Sequence, residues 1–175
     1  MSEAELQALV RSIEELRESQ RESHRETYRA IKDLAGVFAT QWGKLVEALV
    51  EPGCVDQFRE RGINITRSFQ RAEGIDGEGR QMEVDVLLVD GNEVVAIEVK
   101  TNLKTNDVDE HEERLERFKS AFPEYREKTI FGAVAALSFE SGTDKYACRR
   151  GLFVLRPEKG LTRIANDRSF QPKRF

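Results

Sequence analysis

The sequence predicts an α/β fold, a mixed central β-sheet flanked by helices and preceded by a long N-terminal helix. Three observations carry this. The first 40 residues contain no Pro and one Gly, Gly36, and repeat apolar residues at helical spacing. Two β-rich runs, ending in Val89 and starting at Glu93, flank Asp90-Gly91-Asn92, which reads as a tight hairpin turn. Beyond the hairpin, helix-like and strand-like stretches alternate, so neighbouring strands are joined by crossovers.

Two regions follow, an arm over 1–40 and a globular domain over 41–175. In the arm, Leu6, Leu9, Ile13, Leu16, Gln20, Ser23, Thr27, Ala30, Leu34 and Val37 keep a strict 3-4 spacing. That is a heptad seam with apolar ends and a polar middle, flanked by alternating Glu and Arg. It reads as a coiled coil that joins subunits into a homo-oligomer. The other reading is a single amphipathic helix folded back on its own domain.

In the globular part, Trp42, Leu45, Val46, Leu49 and Val50 make an apolar helical face, ended at Glu51-Pro52-Gly53. Glu47 lies near that face. Asp56–Arg61 reads as a short helical turn closed by Gly62. Ile63–Ala72 alternates as a strand, and the glycines of Glu73–Gly79 make a loop. The hairpin comes next, then a helix from Asp107 to about Phe122, stopped by Pro123. Thr129–Leu137 is apolar enough to be a strand buried on both faces. A short helix over Gly142–Arg150 leads to a strand at Leu152–Leu155, and Leu161–Ala165 is a weaker edge strand.

The net charge is −4, so bulk electrostatics does not announce a nucleic-acid binder. From Lys145 to Phe175, however, nine Lys and Arg stand against two Asp and Glu. This segment is either a solvated face or a polyanion-binding patch. Cys54 and Cys148 suit a reduced compartment, with neither a disulfide framework nor a zinc cluster. No apolar run is long enough to span a membrane. A cytoplasmic protein is expected.

The charges inside the hairpin are out of place. Asp85 interrupts its first strand, and Glu98 and Lys100 interrupt its second. Two residues apart on a strand, Glu98 and Lys100 share a face. Burying such groups unpaired is costly, so they need a function or partners. Two carboxylates and a lysine beside a water-filled cleft are suited to a hard divalent cation and an activated water. Glu83 shares the face of Asp85 on an ideal strand. His111, among Asp109, Glu110, Glu112 and Glu113, is expected on a solvated helix face, and His24 belongs to the arm.

Asp85 on one strand and Glu98-Val99-Lys100 on the next resemble the PD-(D/E)XK nuclease superfamily, most closely its small bacterial members with a helical leader. The resemblance covers about 42–175 and includes the stretches Tyr146–Val154 and Phe170–Lys173. The family's proline is absent, since Val84 precedes Asp85. The resemblance implies a restriction-endonuclease-like core and a metal-dependent endonuclease acting on DNA. It further implies that Asp85, Glu98 and the main-chain carbonyl of Val99 bind Mg²⁺ or Mn²⁺, with Glu47 as an additional acid. Lys100 would position and help deprotonate the attacking water. Arg67, Arg71, Arg80, Arg149 and Arg150 are candidates for holding phosphate. The alternative is a nuclease fold kept as a non-catalytic interaction or assembly module.

Overall fold

The computed structural model describes residues 3–50, 52–158 and 161–175. Side chains are described from Cys54 onward, apart from 159–161, and for most of 11–44. The chain forms two compact units, Met1–Thr40 and Gln41–Phe175.

Helix α1 (Glu3–Val50) runs unbroken for 48 residues. The helix expected at 41–50 is therefore its last turns. No proline occurs before Pro52, and α1 ends just ahead of it. Pro52 and Gly53, expected to stop a helix, open the next one, α2 (Pro52–Arg59). A proline suits a first turn because its missing N–H would have no partner there anyway. In the first unit every described side chain is exposed. The hydroxyls of Thr27 and Thr40 bond back to the carbonyls of Ser23 and Gly36, which satisfies them without a tertiary partner.

The second unit is built on a six-stranded sheet in the order β1 (Arg67–Ile75), β2 (Gln81–Val89), β3 (Glu93–Leu103), β4 (Thr129–Phe139), β5 (Phe153–Glu158), β6 (Leu161–Ile164). β1, β2 and β3 pair antiparallel, β3, β4 and β5 pair parallel, and β6 returns antiparallel to β5. Parallel neighbours need a crossover. Helices α3 (Thr105–Glu116) and α4 (Phe118–Ala121) supply the first, and α5 (Thr143–Arg149) the second. The expected mixed sheet flanked by helices is the observed fold.

Each face of the sheet carries a core. On one, Leu87, Val94, Ala96, Ile130 and Val134 meet Val108, Leu115 and Phe118 of the crossover helices. On the other, Val86, Val95, Ile97, Phe131 and Phe153 meet Phe58 of α2 with Ile63 and Ile65. β4 contributes to both, as its unbroken apolar run requires. At the hairpin, the N–H of Asp90 donates to the carbonyl of Glu93 at 2.9 Å, and its carboxylate accepts the N–H of Asn64 at 2.9 Å.

The strand expected from Ile63 begins instead at Arg67 and runs on to Ile75. Ile63 and Ile65 still enter the core, as an extended lead-in. The strand continues through Gly74 because that glycine lets α4 come close. A Cβ there would lie 2.6 Å from the carbonyl oxygen of Ala121. The expected single crossover helix breaks at Arg117, between α3 and α4.

The C-terminal segment is docked onto the sheet unit. The N–H groups of Lys173 and Phe175 donate to the carbonyls of Gly151 and Ile130. Much of the basic segment spends its charge inside the fold: Lys173 on Glu112 and Glu116, Arg150 on Glu112, and Arg156 on Asp144. Cys54 is buried and Cys148 half-buried. Among the described residues no helix is long and apolar enough to cross a membrane.

Candidate active site

The sheet is disturbed at one place, Asp85. The β2–β3 ladder runs from Val89 and Val94 to Val86 and Ile97 and stops there, although both strands continue. One step further stand Asp85 and Glu98. Asp85 Oδ2 accepts the N–H of Val99 at 2.7 Å, so a carboxylate takes the donor that a strand neighbour would otherwise use. On the other side of β2, pairing to β1 is recorded at Gln70–Val86 and Ala72–Val84 but not between Arg71 and Asp85. Arg71 has φ 52°, and it is the non-glycine residue found with positive φ among the described residues. Left-handed backbone at a side chain of this size is strained.

Packing registers the same disturbance. Met82 and Val84 belong to the helix-covered face, as do Leu87 and Val89, while Val86 and Leu88 belong to the other. An undisturbed strand would not put 84 and 87 on one side. The alternation slips at Asp85.

Glu98 and Lys100 share a face, as their spacing predicts. Glu98 Oε1 lies 2.8 Å from Lys100 Nζ, and Oε2 lies 2.7 Å from Arg114 Nη2, which reaches over from α3. Glu98 is only 7 % exposed. Burial alone would raise its pKa, but the bond from Lys100 and the charge of Arg114 outweigh burial and hold it below the ordinary glutamate value. Lys100 is correspondingly raised, Glu98 overcoming the effect of burial. Asp85 goes the other way. Burial, with the nearby charge of Glu98 adding to it, pushes its pKa up to about 6, against the bond from Val99 and the charge of Lys100.

His111 does not lie on a solvated face. It is 3 % exposed and sits under β3, its Nε2 3.3 Å from the carbonyl oxygen of Ala96. Burial pushes its pKa down to about 4, so near neutrality it is uncharged. Nε2 then carries the proton donated to Ala96, and Nδ1 is an acceptor without a hydrogen-bond partner. The acidic neighbours concealed the true periodicity. Val108, His111 and Leu115 follow the 3-4 spacing of a buried stripe. Glu98, His111 and Arg114 line a cavity of about 10 Å³, which is the size of one water site.

The other expected residues are dispersed. The side chain of Glu47 lies outside the described residues. Arg67 and Arg71 are exposed on β1, and Arg71 Nε lies 3.2 Å from Glu83. Arg80 pairs with Asp76 and Glu78. Arg149 lies over the ring of Tyr146, and Arg150 is paired with Glu112. A larger cleft, about 560 Å³, opens on the opposite side of the sheet against Arg61, Phe131, Phe153 and Arg174. It does not touch Asp85, Glu98 or Lys100.

Divalent magnesium takes oxygen ligands, is commonly bound through one or two carboxylates, and keeps several waters. Asp85 and Glu98 fit that preference in chemical type. Asp85 is a half-buried carboxylate that is protonated unusually easily, and a nearby cation would relieve that. The described residues bring no group of three or more His, Cys, Asp or Glu together for a metal.

No family model matches the chain, and no curated protein matches it in sequence. Two solved structures are similar in part. One is a protein of unknown function, 19% identical at a TM-score of 0.41, with 66% of this chain and 61% of that chain covered. The other is a repair endonuclease from Pyrococcus abyssi, 28% identical at a TM-score of 0.38, with 53% of this chain and 38% of that chain covered. The chain thus spans less than two thirds of the length of either.

Proposed function

We propose that the unit formed by 41–175 is a metal-dependent phosphodiester hydrolase of the PD-(D/E)XK nuclease type, acting on DNA. One observation supports this above the rest. β2 and β3 part at Asp85, which holds the amide of Val99, while Glu98 and Lys100 share a face just beyond the end of the paired ladder. A strand pair opened by a carboxylate, with a glutamate and a lysine in the opening, is costly unless it is used.

In this reading Asp85, Glu98 and the carbonyl of Val99 hold Mg²⁺ or Mn²⁺, with Glu47 as a further acid. Such an ion, when bound, acidifies a water and offsets charge on the phosphate. Lys100 orients that water and stabilises the negative charge that grows on the phosphate oxygens. Exposed Arg67 and Arg149 remain available to the phosphate backbone, while Arg71, Arg80 and Arg150 would have to leave ion pairs within the chain. DNA as substrate comes from the family resemblance.

The test is cleavage of supercoiled DNA by the purified full chain with Mg²⁺ or Mn²⁺, beside Lys100→Ala. Loss of about 10²-fold or more in rate is expected for the variant. Equal activity in the two proteins would remove the hydrolase reading.

A second reading has its own observation. Both oxygens of Glu98 already have cationic partners, Lys100 and Arg114, as in an ion cluster kept for structure. On that reading the unit is a non-catalytic module. The arm has the same role in both: we propose that it joins copies of this chain through its apolar residues.

A further inference from the structure

We infer that Arg114 is a stand-in cation for Glu98, holding its carboxylate while no metal is bound and competing with a divalent ion for it. The inference rests on the metal-binding reading of Asp85 and Glu98. A carboxylate as buried as Glu98 stays ionised at low cost only beside positive charge. Lys100 reaches one oxygen and Arg114 the other, at 2.8 and 2.7 Å. The two cations differ in what else they do. Lys100 stands two residues after Glu98 on the same strand, and its side chain is 36% exposed. Arg114 comes from α3, and its side chain is 26% exposed against 10% for Glu98. Carried by a separate element, it can leave Glu98 without any change in β3.

Arg114 also has somewhere to go. It lines the same small cavity as His111, whose Nδ1 is a buried acceptor without a hydrogen-bond partner. A guanidinium released from Glu98 can turn one N–H toward that nitrogen and others toward water. Glu110, one turn earlier on α3 and exposed, provides a counter-charge at the favourable i,i+4 spacing. A divalent ion on Glu98 and a guanidinium on the same carboxylate would repel each other. Binding of one therefore weakens binding of the other, and this coupling is reciprocal.

The experiment is calorimetric titration of the full chain with Mn²⁺, without DNA. Wild type is compared with Arg114→Gln, Arg114→Lys and Asp85→Asn, and the melting temperature of each is followed with and without Mn²⁺. Arg114→Gln should bind Mn²⁺ about tenfold more tightly or better, and its melting temperature should rise more with Mn²⁺ than that of wild type. Arg114→Lys, which keeps the charge without the fork, should lie between them. Equal or weaker binding by Arg114→Gln, with wild type binding Mn²⁺ and Asp85→Asn not, overturns the inference and leaves the metal site standing. Absence of Mn²⁺ binding in wild type and Arg114→Gln alike, or equal binding by Asp85→Asn, overturns the metal site itself and the inference with it. Should Arg114→Gln be unfolded without metal, recovery of a cooperative melt in Mn²⁺ supports the inference, and failure to recover it overturns it.

Discussion

Asp85 Oδ2 accepts the main-chain N–H of Val99 at 2.7 Å, just past Val86 and Ile97, the last paired residues of β2 and β3. The bond lets a strand interior carry a carboxylate, yet it does not fully compensate burial. Asp85 therefore titrates near 6, above its ordinary value of 3.8.

A pH dependence follows. A carboxylate whose folded pKa is raised contributes stability that is fully present below the unfolded pKa and is lost as pH rises through the folded one. In metal-free buffer the protein should lose stability between about pH 4 and pH 6 on account of Asp85. Asp85→Asn keeps an acceptor for Val99 and carries no charge. It should be more stable than wild type at pH 7 by about 1–2 kcal/mol, after discounting for partial exposure, and equal to it near pH 4. Urea unfolding in a chelator at the two pH values measures this. A variant that is less stable at pH 7 would contradict the raised pKa of Asp85.

Glu98 should show the opposite sign. Its pKa is held below the ordinary 4.5, so the stability that it supplies is present above that value and is lost as pH falls. Glu98→Gln leaves Arg114 and Lys100 facing a neutral amide. The expected loss is about 2 kcal/mol or more at pH 7, shrinking toward low pH. Thermal melts of wild type and Glu98→Gln across pH 3–7 check both the size and the slope.

Legibility of this chain in its sequence divides along physical lines. Strand alternation and the turn at Asp90 announced the hairpin, and the apolar run from Ile130 announced β4, because both signals are local. The shared face of Glu98 and Lys100 was legible for the same reason. Arg114 was not: its role depends on α3 crossing over β3, a tertiary fact that no spacing within the strands encodes. His111 was misread because four acidic neighbours dominate its surroundings in sequence, while its own phase follows Val108 and Leu115. The basic C-terminal segment read equally as a solvated face or a polyanion-binding patch. Counting charges along the chain does not reveal that Glu112 takes up both Arg150 and Lys173.

That docking yields a further expectation. Gly151 has φ 79°, and a Cβ there would lie 2.6 Å from Lys173 Cβ and 2.8 Å from its main-chain nitrogen. Both the left-handed backbone and the close approach exclude a side chain. Gly151→Ala should push the tail off the sheet unit and cost about 2–3 kcal/mol. Hydrogen exchange at the amides of Lys173 and Phe175, which donate to Gly151 and Ile130, should accelerate in the variant. Unchanged exchange would mean that the tail is held by its ion pairs alone.

Among the described residues, the arm carries most of the exposed large apolar side chains. Leu16 is 65% exposed, Tyr28 71%, Ile31 60% and Leu34 58%. Leu16 and Leu34 lie on the expected heptad seam, whereas Tyr28 and Ile31 are each one residue past a seam position. The apolar stripe therefore shifts around the helix by one residue across the polar middle. A helix of this length with little intrinsic apolar cover is stabilised by packing against something, and the Glu and Arg flanks of a second copy match its own. The full chain should sediment as a dimer or larger assembly at micromolar concentration. Leu16→Glu combined with Leu34→Glu should bring it to monomer mass and lower the far-ultraviolet helical signal, since the isolated arm is left without its cover. A wild-type chain that is monomeric throughout that range would refute assembly through the arm. The Glu98–Arg114 contact lies in the other unit, so the double variant should leave Mn²⁺ binding unchanged.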